Sequence, residues 1–240
     1  MSNELDLLPV ARYLSLKGSY IDQLGSQPES LVKEVHIRHR LDRDGANDGH
    51  HITVINHLEI ASFIQHDQTD PTSSASQQKK ASKRQHREAL FGIHQQAIDL
   101  LGPAAGWEKP VDLGLGQCRD GASVSYFRVV HWPLGQELRR QLGLGFTNFH
   151  ITVGFVPNDV HLYKGPASLI CLQPGQPLSR KRAKLLISVA SFYYHDTKFF
   201  KLLGRQCWKH GYYAEMASLT QVYVTCKEVQ KNNSIYLPRA

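Results

Sequence analysis

Cysteine is scarce in this chain. Its four cysteines, Cys118, Cys171, Cys207 and Cys226, form no C-x-x-C pair, so the spacing implies neither a disulfide framework nor a zinc site, and buried free thiols are expected. The 13 histidines include no His-x-x-x-His and no Cys/His ligand spacing, so no metal or other cofactor is expected. Long apolar runs are missing too: nothing approaches the ~20 residues that a membrane span needs. The opening Met1-Ser2-Asn3-Glu4-Leu5-Asp6 is acidic and lacks a signal-peptide core. These absences set the expectation of a soluble protein of the cytosol or nucleus with no membrane partner.

Hydrophobic side chains are nearly absent from one internal stretch. In residues 66–88 the hydrophobic side chains are only Ala75 and Ala81, among Ser, Thr, Gln, Lys, Arg, Asp, Glu, His and one Pro, too little to offset the entropy of ordering, and a disordered insertion is expected there. Its second half, Lys79 to Arg87, is basic and reads equally as a clamp on an RNA backbone or as a solvated loop grading into a helix. Elsewhere the chain is rich enough to fold: 240 residues, 41% apolar and 20% charged, fit one to two domains with a real core. Charge is unevenly placed. From Ser179 onward there are eleven Lys/Arg against three Asp/Glu, leaving 17 against 18 upstream. Such a basic segment can meet nucleic-acid phosphates or simply solvate helix faces.

Two short β-branched stretches share the core His-Ile-Thr-Val: Gly49-His50-His51-Ile52-Thr53-Val54-Ile55 and Phe149-His150-Ile151-Thr152-Val153-Gly154-Phe155. Both read as buried strands. In a strand, residues i and i+2 share a face, so His51 lies with Thr53 and His150 with Thr152, while Ile52 and Ile151 turn the other way. Side by side in a cleft they would present two imidazoles and two hydroxyls, a set suited to taking one proton, giving another and holding an anion. Random placement of 13 His and 8 Thr gives roughly 0.4 His-x-Thr occurrences. A third copy, His195-Asp196-Thr197, carries a charged centre that spoils a buried strand and suits a helix N-cap; it is read as a decoy.

The paired motifs resemble the 2H phosphoesterase superfamily. The second half is similar to its Swiss Army Knife RNA-repair-like branch, through Val111-Asp112-Leu113-Gly114-Leu115-Gly116, Tyr126-Phe127-Arg128-Val129-Val130-His131-Trp132-Pro133, the stretch from Phe149 to Phe155, and Asp159-Val160-His161. The resemblance covers about residues 8–165. It implies an α+β fold whose two similar lobes place antiparallel sheets around a central cleft. It also implies His51 and His150 as general acid and base, and Thr53 and Thr152 as phosphate ligands. Tyr126 and Arg128, at i and i+2 on one strand, and His161 near the second motif are further candidates for substrate contact. The reaction implied is metal-independent hydrolysis of 2′,3′-cyclic phosphate ends of RNA, in repair or processing. One alternative is a small nucleotide, such as a cyclic phosphate of ADP-ribose or a 2′,5′-linked oligonucleotide. Another is a non-catalytic RNA-binding or scaffold protein.

The remaining chain reads as alternating strands and helices around these motifs. Residues 10–17 suggest a first strand; Ser26-Gln27-Pro28-Glu29 has capping-box spacing for a helix to about Arg40. A turn over 42–49, a short helix over 58–64 and a helix over 89–101 closed by Gly102-Pro103 follow. Residues 111–116 and 123–130 suggest a hairpin turning at Arg119-Asp120-Gly121, and 136–142 a helix. The expected organisation is a phosphoesterase-like domain over 1–165 and a basic helical extension over 179–240, with three helices packed on the second lobe or offered to a protein partner. The oligomeric state is left open.

Overall fold

The computed structural model describes residues 4–45, 49–64 and 75–235. The chain enters on a hairpin of Asp6–Val10 (β1) and Tyr13–Lys17 (β2), with Val10 opposite Tyr13. The single strand expected over 10–17 is therefore split at Ala11, whose φ of 50° turns the chain through the left-handed region. Ser19–Gly25 (α1) and Glu34–Asp44 (α2) come next. The capping box expected at Ser26 does not form, because the Glu29 carboxylate pairs with Arg128 at 2.8 Å. Instead α2 starts after Lys33, whose N–H donates to His36 Nδ1 at 2.8 Å.

Ile52–Ile55 (β3) leads into His57–Ala61 (α3), and here a capping box does form. Asn56 Oδ1 accepts from the Leu58 and Glu59 N–H groups at 2.9 and 3.1 Å, while Glu59 accepts from the Asn56 N–H at 3.0 Å. Ala75–Leu101 (α4) is one continuous helix. It overturns the expected disordered insertion over residues 75–88; the earlier part of that expectation, 66–74, lies outside the described residues. Gln, Lys, Ala and Arg are good helix formers. Once Leu90, Ile93 and Ala97 are buried, each residue added upstream gains a hydrogen bond without a new nucleus.

The second half repeats the order of the first with a longer hairpin. Val111–Asp120 (β4) and Ser123–His131 (β5) pair along their full length, Pro133–Gln141 (α5) follows, and His150–Val156 (β6) completes the sheet. The order in space is β1-β2-β3-β6-β5-β4, with every neighbouring pair antiparallel. The two expected lobes thus join edge to edge in one six-stranded sheet, and the join is the pair of His-x-Thr strands. The fold is α+β.

Two large apolar clusters, beside a small one of Leu115, Val124, Tyr126 and Val153, hold the sheet. One gathers β1–β3 with Leu90, Ile93, Trp132, Phe149 and Ile151; the other gathers Leu113, Phe127 and Val129 with the C-terminal helices. Each fully buried Leu, Ile or Phe contributes ~1.5–3 kcal/mol against the entropy of ordering. Those helices are Arg180–Ser188 (α6), Thr197–Lys209 (α7) and Tyr213–Ile235 (α8). Part of their basic charge is spent on the fold: Arg180 pairs with Glu215 at 2.7 Å, and Arg182 Nη1 donates to the Asp112 carbonyl at 3.0 Å. No helix among the described residues is long and apolar enough to cross a membrane.

Candidate active site

The register of the central strands sets the site. β3 and β6 are antiparallel with Ile52 opposite Ile151, and both isoleucines are fully buried. Continuing that register places Thr53 across from His150 and His51 across from Thr152, all on the face opposite the isoleucines. Ordinary sheet geometry then puts the two histidines on a diagonal of ~7–8 Å, with their Cβ atoms somewhat closer. All four side chains line one cavity of about 700 Å³.

His150 is the better defined of the two imidazoles. Its Nδ1 lies 3.3 Å from the Asn148 carbonyl, which can only accept, so Nδ1 carries the proton and Nε2 presents a lone pair. The ring packs edge-on against Phe127 at 5.7 Å. Burial, followed by the positive charge of Lys164, pushes its pKa down to about 3; it is neutral at neutral pH.

Around this quartet sit charged residues drawn from separate parts of the chain. Asp159, on the loop after β6, accepts from Ser125 Oγ at 2.7 Å, Lys164 Nζ at 3.0 Å and Arg43 Nη1 at 2.5 Å. Burial would raise its carboxyl pKa, but Lys164, Ser125 and Arg43 outweigh that and push it down to about 2. Lys164 also lies 5.5 Å from the Phe127 ring centroid, on which His150 packs. Arg43, Asp159, His161 and Lys164 all line the cavity. Only the stretch Asp159-Val160-His161 hinted at this group, since Arg43 comes from α2, 116 residues away.

A second feature braces the site from below. Arg139 of α5 is buried and donates to the Val54 carbonyl on β3 at 2.7 Å and to the Gly145 carbonyl, before β6, at 2.8 and 3.0 Å. It also forks onto the Glu59 carboxylate at 2.6 and 3.1 Å. One guanidinium therefore ties together the end of one motif strand and the approach to the other.

Of the other sequence candidates, His161 reaches the cavity, and Tyr126 and Arg128 do not. Tyr126 is buried against His36 of α2, ring centroids 5.0 Å apart. Arg128 is buried between Glu29 at 2.8 Å and Asp112 at 3.4 Å. They share a strand as expected, but that part of β5 is covered by neighbouring segments. His50 is also turned away from the cavity, into a niche beside Gly25 where a Cβ would overlap its ring, with its N–H donating to Asp22 at 2.6 Å. In His195-Asp196-Thr197 the expected helix cap forms: Asp196 caps α7, accepting from the Phe199 N–H at 2.9 Å, and none of the three lines the cavity. Among the described residues no group of three or more His, Cys, Asp or Glu is placed to hold a metal ion.

The family model described as Swiss Army Knife, 2H phosphoesterase domain, matches residues 12–161, the segment that runs from the β1–β2 turn through both His-x-Thr strands to His161. Searches of curated proteins and of solved structures give no match.

Proposed function

Because the chain belongs to the Swiss Army Knife 2H phosphoesterase domain family, we propose that it hydrolyses RNA ends carrying a 2′,3′-cyclic phosphate, with His51 and His150 as the acid–base pair and Thr53 and Thr152 holding the phosphate. The family carries the coarser statement, a phosphoesterase. The finer reading rests on one observation above all: the two His-x-Thr pairs face one cavity across adjacent strands.

The chemistry follows from that arrangement. A water oxygen attacks phosphorus, its proton passes to one imidazole, one P–O ribose bond breaks, and the other imidazole protonates the leaving oxygen. His150 suits the base role, since its Nε2 lone pair is free and the ring is neutral; His51 is then the acid. An anionic substrate raises the pKa of an imidazole beside it, so His150 comes closer to its ordinary range with substrate bound than without it. The threonine hydroxyls donate to the non-bridging oxygens as charge develops there. A small cyclic nucleotide is the second reading, favoured by the cavity of about 700 Å³, which lies within the ~300–1,000 Å³ usual for small-molecule sites.

The test is hydrolysis of a short RNA ending in a 2′,3′-cyclic phosphate, in EDTA, by wild type, His51→Ala, His150→Ala and His195→Ala. The expected outcome is a loss of ~10²–10⁴-fold in each of the first two and full activity in the third. Absence of wild-type turnover on RNA and on small cyclic nucleotides would overturn the reading.

A further inference from the structure

The first half of α4 extends past one end of the cavity. Two contacts fix its course: His94 Nε2 meets the Leu7 carbonyl at 2.9 Å and His86 Nε2 meets the Arg12 carbonyl at 3.3 Å. From residue 94 back to 86, the helix therefore follows β1 from Leu7 to the turn at Ala11 and Arg12. Val10, Ala11 and Tyr13 line the cavity, so this turn is part of its rim, and Arg12 stands exposed on it. Residues 75–85 continue beyond that rim.

That overhanging half is basic. Lys79, Lys80, Lys83, Arg84 and Arg87 are all exposed, and the one acidic residue in 75–88, Glu88, is engaged by Arg84 at 3.6 Å. At about 100° per residue, Lys79 and Lys83 fall within about 60° of His86 around the helix, on the side that meets the turn. Along the axis Lys83 lies ~4.5 Å and Lys79 ~10 Å beyond His86. Arg12, Lys83 and Lys79 thus make a row leading away from the cavity. A small nucleotide would leave this row unused, whereas a nucleic-acid strand carries a phosphate on every nucleotide outside the cavity.

We propose that the site takes the end of a single-stranded polynucleotide, whose backbone leaves the cavity over the Ala11–Arg12 turn and runs along Arg12, Lys83 and Lys79. The proposal rests on the phosphoesterase reading for what happens in the cavity, and it decides between the two substrate sizes. Three phosphate contacts to a single strand give a log affinity that falls with log salt at a slope of about 2.

The experiment measures binding, so that its failure and the failure of turnover are distinguishable. Fluorescence anisotropy compares an RNA of about twelve nucleotides ending in a 3′-phosphate with a dinucleotide bearing the same end, across a salt series, for wild type and for Arg12→Ala/Lys79→Ala/Lys83→Ala. The expected result is that the triple variant binds the long RNA about tenfold more weakly at low salt and loses most of the salt slope, with dinucleotide binding unchanged within about twofold. Wild-type affinity of the triple variant for the long RNA would overturn the proposal. Equal salt slopes for the two RNAs in wild type, or equal losses on both in the variant, would overturn it too, since the cations would then not be tracking a strand. Turnover of a dinucleotide 2′,3′-cyclic phosphate tests the parent reading separately.

Discussion

Replacing Arg139 by methionine keeps an unbranched apolar stem in the buried position and removes the guanidinium with every donor. Arg139 is 2% exposed, and its loss strands the Val54 and Gly145 carbonyls and the Glu59 carboxylate that it now satisfies. Breaking one partner of a buried pair costs ~3–5 kcal/mol. The Glu59 side chain is 26% exposed, so water recovers part of its solvation, and about 3 kcal/mol is expected, a large share of the ~5–15 kcal/mol that holds a domain folded. For a chain of this size that is a fall of about 6–12 °C in Tm. Adding Glu59→Gln removes the stranded charge and should restore about 1 kcal/mol. The pH dependence supplies a second check. Burial raises the Glu59 pKa, but the Arg139 hydrogen bonds, the Asn56 N–H and the Arg139 charge together hold it below its ordinary value. The stabilisation is therefore present above the ordinary Glu pKa and is lost as pH falls through the folded value; the Arg139→Met variant should lack that dependence. Urea unfolding followed by far-ultraviolet dichroism and tryptophan fluorescence measures both. A variant within about 1 kcal/mol of wild type, with the acid dependence intact, would refute the brace.

Three further outcomes are expected. Burial, then the charge of Arg40, push the His50 pKa from 6.5 down to about 4; between those values the unfolded chain binds a proton that the folded one does not. Stability should fall by ~3 kcal/mol as pH drops across that window, and His50→Gln should flatten the curve of urea midpoint against pH; an unchanged curve contradicts the assignment. Gly25→Ala drives a Cβ into the His50 ring and should cost ~1–3 kcal/mol by overpacking, measurable as a lower Tm, whereas Ala at the open Gly92 inside α4 should stabilise by ~0.5–1 kcal/mol. Lys164→Met removes a positive charge that depresses His150 and should move the lower limb of the kcat/KM pH profile to higher pH; a profile that stays in place counts against His150 as the base.

Local pattern carried much of the site. The alternation in His-Ile-Thr-Val has to put His and Thr on one face and Ile on the other wherever it forms a strand, so His51, Thr53, His150 and Thr152 were readable as two pairs, and the acidic centre of His195-Asp196-Thr197 marked it as a cap. The β4–β5 hairpin and the C-terminal helices were legible for the same reason, because turn residues and apolar periods act over a few positions. The errors fell where a distant partner decided. Glu29 left its capping role for Arg128, 99 residues further on; Tyr126 and Arg128 were covered by segments around α2; residues 75–88 became helix because the segment after them was anchored.

By itself, then, the sequence determined which side chains share a strand face and which segments can bury an apolar side, properties that depend on backbone geometry within a few residues. Only the tertiary structure decided that β3 and β6 are neighbours, that Arg43, Asp159 and Lys164 meet beside His150, that Arg139 ties the motif strands, and that a basic helix overhangs the rim. Most of these contacts join residues tens to more than a hundred positions apart, and the free energy that selects them comes from burying the whole sheet rather than from any stretch of the chain read alone.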